Sequence, residues 1–452
     1  MYKVCNTVKM TKNLATKAYD IYSIITPMYY LSKFFGLAPM TFTVTHLKQK
    51  ILRTSVFSSI YTIFLMSVIV IINVYTIINK DKLPDTDERA RGVFILEMLT
   101  YGTTAVLGLG ASLMKHRNVM NTLLFKVSIF DELLCSENTN TMKRNRVFVF
   151  VQTIVLITVY TCIFLEDFLL VIFDKDYSYV WKINMITVYV CTSIIAITIT
   201  QYVDLVQLLK QKINTLNHNI ILTMNLADGT TEDILFKTIN IYDSNIFEAS
   251  IIRVEKFEKR FKKWCNAYMN NNFTSAFRFS SSHIIIRFRA SRVLYDVLCD
   301  ICHMINSMYG FQILIFTTSN FILMNTSLSY GIISLLTYDE SNEKYRYPAC
   351  VSLLWGMMLF IMQMCPRASC SAASNESDKL TTSIQKLLLI PEVDPEIVAE
   401  LQLFSQQVNA RRIKFTAMGF FTVNCRNLGT IVGACITLLL ILLQFQKVNN
   451  LF

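Results

Sequence analysis

Apolar residues in this chain gather in long uninterrupted blocks rather than at the alternating or three-to-four spacing of half-buried strands and helices. Seven blocks are long enough to cross a hydrocarbon core of about 30 Å at about 1.5 Å per helical residue. They are 55–78, 93–114, 147–173, 183–203, 310–337, 347–366 and 427–445. The longer blocks predict tilt or protrusion. An eighth apolar segment, Ile21 to Ala38, is interrupted by Pro27 and Lys33 and stops at Pro39, which predicts a re-entrant or interfacial helix. Beyond the fourth block, helical spacing continues from Asp204 to Ile213, and it recurs in Ile284 to Asn306 and Leu380 to Leu389. Helices are thus predicted to project from the membrane and pack together there. Between them, Asp228 to Asn272 is polar, and its basic run at Lys259 to Lys263 reads as solvated charge on a linker or charge touching anionic lipid.

Composition agrees with lipid as the solvent. Hydrophobic residues make up 53% of the 452 and charged residues only 17%, whereas soluble domains carry about 25% charge. The net charge of +11 would suit nucleic acid in a soluble protein; here its placement points to topology instead, with no nucleic-acid partner. With the N-terminus inside, 34 of the 43 basic residues fall in the segments up to Arg53, 115–146, 204–309 and 367–426, all on the cytoplasmic side. The expected fold is therefore an all-α membrane protein with seven transmembrane helices, a cytoplasmic N-terminus and an extracellular C-terminus. That is the reverse of a G-protein-coupled receptor. The expected organisation is a cytoplasmic N-terminus with a re-entrant helix (1–54), spans one to four (55–203), cytoplasmic extensions and linker (204–309), spans five and six (310–366), cytoplasmic anchor helices (367–426), and a last span with an extracellular tail (427–452). Met1 to Asp20 is polar and basic, so the first span is expected to act as its own insertion signal. The twelve cysteines are scattered and read as reduced thiols. The sequons at Asn272, Asn325 and Asn375 fall in cytoplasmic segments or inside a span, where none would be glycosylated.

The chain has no phosphate-cradling glycine loop, His-Glu-x-x-His pair or nucleophile elbow, so it reads as no enzyme, with neither cofactor nor metal. Cys299-Asp-Ile-Cys302-His303 has the spacing of a covalent haem site but lies on a helix expected to be cytoplasmic, and reads as packing thiols beside an imidazole. Carboxylates inside spans are costly and normally face a cavity or a partner. Glu97 opens the second span, and Glu166 and Asp167 lie towards the outer end of the third. Tyr101, Tyr189, Tyr330 and Trp355 occupy the outer halves of spans two, four, five and six. These groups suit either the headgroup region, as wet acids and an aromatic belt, or a pocket in which rings stack on a small polar molecule.

The segment Thr437-Leu-Leu-Leu-Ile-Leu-Leu-Gln444-Phe445 resembles the closing signature of insect gustatory receptors, in which Thr-Tyr and five hydrophobic residues precede Gln-Phe. Phe404-Ser-Gln-Gln, Phe415 to Asn424, Leu298-Cys-Asp, Asn306 to Leu314 and Lys33-Phe-Phe-Gly-Leu-Ala-Pro are also similar to that family. Leu438 departs from the pattern where the family has tyrosine, and Leu439 stands where sweet-taste members commonly have an acid; the ending is closer to the fructose-receptor branch and is shared by bitter-type members. The resemblance implies a tastant-gated, non-selective cation channel in the cell membrane, assembled as a homotetramer or as a hetero-oligomer with related receptors. Its ligand would be a sugar, a polyol or a bitter compound. Thr437, Leu443, Gln444 and Phe445 would then form the pore and gate, an aliphatic ring able to close by dewetting, and Glu97, Tyr101, Glu166, Asp167, Tyr189, Tyr330 and Trp355 would line the ligand site. The alternatives are a non-conducting subunit that needs a partner and a secondary transporter, although transporters usually show duplicated halves with broken helices and no internal repeat is visible here.

Overall fold

A computed structural model describes residues 28–44, 50–82, 88–134, 178–227, 281–336, 346–390 and 394–449. Nine α-helices are seen among them. A short helix, α1 (28–34), leads to an antiparallel hairpin, β1 (Met40–Val44) and β2 (Lys50–Thr54). Then come α2 (Val56–Ile78), α3 (Glu88–Ala111), α4 (Arg117–Leu134), α5 (Tyr179–Ala227), α6 (Ser281–Leu336), α7 (Arg346–Leu387) and α8 (Pro395–Ala410). A two-residue ribbon, β3 (Thr416–Ala417) with β4 (Phe421–Thr422), precedes α9 (Arg426–Asn449).

Five helices among the described residues are long and apolar enough to cross a membrane: Val56–Ile78, Arg91–His116, Tyr179–Thr223, Ile284–Leu335 and Ala349–Leu387. They correspond to five of the seven predicted blocks. Arg426–Ile441 in α9 is a shorter apolar stretch overlapping the last block, and the third block, 147–173, lies outside the described residues, as does the expected linker, Asp228 to Asn272.

Helix lengths explain the second half of the architecture. At about 1.5 Å per residue, the 49 residues of α5 and the 56 of α6 each extend well beyond a bilayer core. Their extra turns pack with α4, the end of α7 and α8 around Leu209, Leu216, Phe288, Tyr295, Leu298, Leu380, Leu401 and Phe404. Helices thus occupy the stretches beyond the apolar blocks where the spacing predicts them. A second core, around Ile69, Tyr101, Leu109, Ile194, Phe316, Leu323 and Leu359, holds the apolar halves of α2, α3, α5, α6 and α7 together.

Local chemistry sets several ends. Ser55 caps α2 by accepting from Ser58 N at 3.4 Å, and Asp394 caps α8, accepting from Glu396 N at 3.1 Å with Pro395 in the first turn. The segment expected to be re-entrant contributes α1, which stops at Gly36 (φ +73°), a backbone conformation that costs glycine least. It is pinned by Thr62 Oγ1 donating to Gly36 O (2.7 Å) and Gln201 Nε2 donating to Ser32 Oγ (2.5 Å). Two features differ from the sequence reading. The β1–β2 hairpin occupies a stretch read simply as cytoplasmic N-terminus. The helix that holds the second span runs on past it: the apolar stretch ends at His116, and a π-turn, Ser112–His116, leads on into α4.

Charge fastens the projecting bundle. Glu400 on α8 accepts from Arg289 Nε at 2.6 Å and Arg292 Nη1 at 2.9 Å, both on α6. Arg411, just beyond α8, pairs with Asp296 and, at 3.0 Å, with Asp300, which also takes Lys126 of α4 at 2.5 Å. The Cys299 and Cys302 thiols donate to Arg411 O (3.3 Å) and Lys414 O (3.4 Å), so the haem-like string packs α6 against the irregular 411–414 segment, and His303 faces outward.

Candidate functional site

Of the predicted ligand residues on α3, α5, α6 and α7, Tyr189 and Trp355 meet each other, and Glu97 meets a residue of α6 that was not predicted. On the first side, Glu97 of α3 meets α6: Ser327 Oγ donates to Glu97 Oε1 at 3.2 Å. One turn further along α3, Tyr101 is buried. On the second side, the rings of Tyr189 (α5) and Trp355 (α7) lie 6.3 Å apart at 38°. Tyr189 is buried, whereas Glu97, Tyr330 and Trp355 are half-buried. Glu166 and Asp167 lie outside the described residues.

Below this level the bundle is threaded with buried polar groups that periodicity alone does not single out. Thr104 Oγ1 donates to Ser319 Oγ at 2.6 Å, and Asn320 Nδ2 to Leu359 O at 2.9 Å. Gln312 Nε2 reaches across to the α3 turn, donating to Gly108 O (2.9 Å) and Ser112 Oγ (3.0 Å) where the π-turn opens. Thr104, Gly108, Ile194, Thr198, Gln312 and Phe316 border a cavity of about 20 Å³, room for about one water. Arg367, 1% exposed, donates to Gln363 O (2.9 Å), Gln363 Oε1 (2.5 Å) and Thr317 Oγ1 (3.4 Å). The signal for these residues was their polarity inside spans; which of them meet was not written in the spacing.

The predicted gate lies on α9. Thr437 is exposed and its hydroxyl returns to Gly433 O at 2.9 Å, the usual back-bond of a helical threonine. Gln444 is exposed; the side chains of Leu443 and Phe445 lie outside the described residues. The two sides of α9 are unlike. Cys435 is 5% exposed and packs into the membrane core, whereas Ile436 is 54% and Leu440 52% exposed. A face this apolar needs lipid or another protein surface against it.

Comparison with known proteins gives the same outline. The family model described as "7tm Chemosensory receptor" matches residues 25–449. Putative gustatory receptor 28b of Drosophila melanogaster is 26% identical over 158 residues, 35% of this chain and 34% of the relative. Putative gustatory receptor 28a of the same organism is 23% identical over 208 residues, 45% of this chain and 44% of the relative. The matched stretches thus span less than half of either relative. Among solved structures, the insect olfactory receptor OR5 from Machilis hrabei superposes with a TM-score of 0.62 at 10% identity, covering 95% of this chain and 99% of that one. The same receptor in complex with eugenol gives a TM-score of 0.56 at 12% identity. At such identities the likeness concerns the fold.

Proposed function

The chain belongs to the 7tm chemosensory receptor family, and from that premise we propose that it is a gustatory receptor working as a tastant-gated, non-selective cation channel. It is a multi-pass membrane protein and not an enzyme. The observation that carries the channel reading is the two-sided character of α9, one side in the core through Cys435 and the other an unburied aliphatic face. Four copies set around an axis would turn those faces into an apolar ring, and a small tilt would wet it. Thr437, Leu443, Gln444 and Phe445 are the proposed pore and gate, and α4, α8 and the projecting ends of α5 to α7 the cytoplasmic anchor. In this reading the third block is the third of seven spans, α9 is the seventh, the N-terminus is inside and the C-terminus outside.

The ligand site is the cluster of Glu97, Tyr101, Tyr189, Tyr330 and Trp355, with Glu166 and Asp167 from the third block. A hydroxylated molecule would stack on the rings and bond to the carboxylates. It opens the channel to the extent that it binds the open arrangement better than the closed one. Whole-cell recording from cells expressing this chain, with a panel of hexoses, polyols and alkaloids, tests the reading: a channel passes several cations, a transporter gives saturable flux, and a subunit needing a partner gives neither.

Three outcomes are expected. An epitope placed after Phe452 should label on intact cells; labelling only after permeabilisation would reverse the topology and remove the pore model. Trp355→Ala should shift the concentration–response curve to higher ligand by about 2- to 10-fold, the worth of one ring contact of about 0.5–1.5 kcal/mol, with unchanged surface labelling. An unmoved curve would take the pocket elsewhere. Phe445→Ala should raise the resting current and Gln444→Ala should alter ion preference, one effect dominating because neighbours on a helix point about 100° apart; wild-type behaviour of both would mean that α9 is not the pore.

A further inference from the structure

Asn325-Thr-Ser has the form of a glycosylation site, yet Asn325 is 3% exposed within the membrane half of α6. Its amide is used otherwise. Asn325 Nδ2 donates to Phe321 O at 2.7 Å and, across to α9, to Cys435 Sγ at 3.4 Å. Cys435 is the buried point of α9 described above. Asn325 Oδ1 is buried and has no hydrogen-bond partner among the described residues. Two positions on, Ser327 Oγ bonds to Glu97 of α3. Residues two apart on an α-helix lie about 200° apart around its axis. One turn of α6 therefore holds the candidate ligand cluster on one side and α9 on the other.

We propose that Asn325 is a positioning residue that couples the ligand site to α9, with the Asn325–Cys435 contact holding α9 in its resting arrangement. The proposal rests on the reading of α9 as the pore helix. A ligand hydroxyl that displaces Ser327 from Glu97 Oε1 repositions this turn of α6. Because the turn is rigid, the amide on its far side moves relative to Cys435. The contact is suited to breaking: a thiol sulfur is a weak acceptor, and the unmet Oδ1 leaves the amide a second way to bond once α9 has moved.

The experiment uses the full chain in cells and reads the resting sodium current together with surface labelling. Asn325→Leu and Cys435→Ala should each raise the resting current about threefold, the equivalent of one average hydrogen bond between membrane helices. The double variant should rise no further, since both changes remove one contact. Cys435→Ser, which keeps an acceptor, should behave as wild type. Independently, Asn325→Cys treated with copper phenanthroline should form a disulfide to Cys435, two thiols giving two electrons and two protons to molecular oxygen as the S–S bond forms, and the resting current should then fall. Failure of this cross-link at normal surface levels overturns the contact and the proposal. Cross-linking with additive single effects, or a Cys435→Ser variant that leaks like Cys435→Ala, overturns the coupling role alone. A cross-linked chain whose wild type never conducts overturns the channel reading, and coupling with it, while the contact stands.

Discussion

Phe404→Ala should destabilise the projecting bundle by about 3–5 kcal/mol, the cost of removing a large ring from a packed interior and leaving a cavity. Phe404 is 0% exposed on α8 and meets the ring of Tyr295 edge-on, at 6.0 Å between centroids and 69°. Its neighbours Leu401, Leu298 and Leu380 come from three helices, so the void cannot close by moving one of them. Thermal unfolding of the purified protein and surface labelling in cells would both fall. Leu403→Ala, one residue away on the exposed side of α8 (44% exposed), serves as the control and should stay within about 0.5 kcal/mol of wild type. Equal losses in the two variants would mean that α8 does not dock through this face.

The second large effect is expected from Glu400→Gln. Burial alone would raise the Glu400 carboxyl, but hydrogen bonds and charge from Arg289 and Arg292 outweigh it and hold the carboxyl below the ordinary glutamate range. The same logic holds Arg411 above its usual value, through its hydrogen bond to Asp300. Glutamine keeps the shape and one acceptor but leaves two guanidinium groups without their counter-charge. The expected cost is about 1–3 kcal/mol, towards the lower end because Arg289 and Arg292 remain 43% and 28% exposed. A carboxyl whose folded value is depressed contributes stability above its unfolded value and loses it as pH falls towards the folded one. Wild type should therefore lose part of its advantage over Glu400→Gln as the medium is acidified through and below the ordinary glutamate range. A difference that stays constant across that range would show that Glu400 acts by packing and not by charge.

Much of this architecture was legible in the chain because lipid imposes a simple requirement. A spanning segment must satisfy its backbone internally and present apolar side chains, so blocks such as 55–78 and 183–203 declare themselves by length alone. The helical extensions at Asp204, Ile284 and Leu380 were visible because a helix keeps its period where its polarity changes along its length. The family was legible in the closing Gln444-Phe445 and in the Phe415 to Asn424 stretch, now seen as a tight ribbon in which Met418 and Gly419 take positive φ.

The site was legible only as a set of residue types at one depth. Sequence placed Glu97, Tyr101, Tyr189, Tyr330 and Trp355 in the outer halves of four spans, where an aromatic belt and a pocket look alike. Helix rotation and packing set which of them meet a neighbour, Glu97 meeting Ser327 and Tyr189 meeting Trp355. Tertiary structure alone decided that the sequon asparagine, Asn325, is buried against Cys435, that Gln312 clasps the π-turn, and that the helix of the second span leads through that turn into α4. Period and hydropathy record whether a side chain leaves water; they do not record which helix it then faces. That depends on the azimuth of each helix and on contacts between residues more than a hundred positions apart, and only the folded chain brings those residues together.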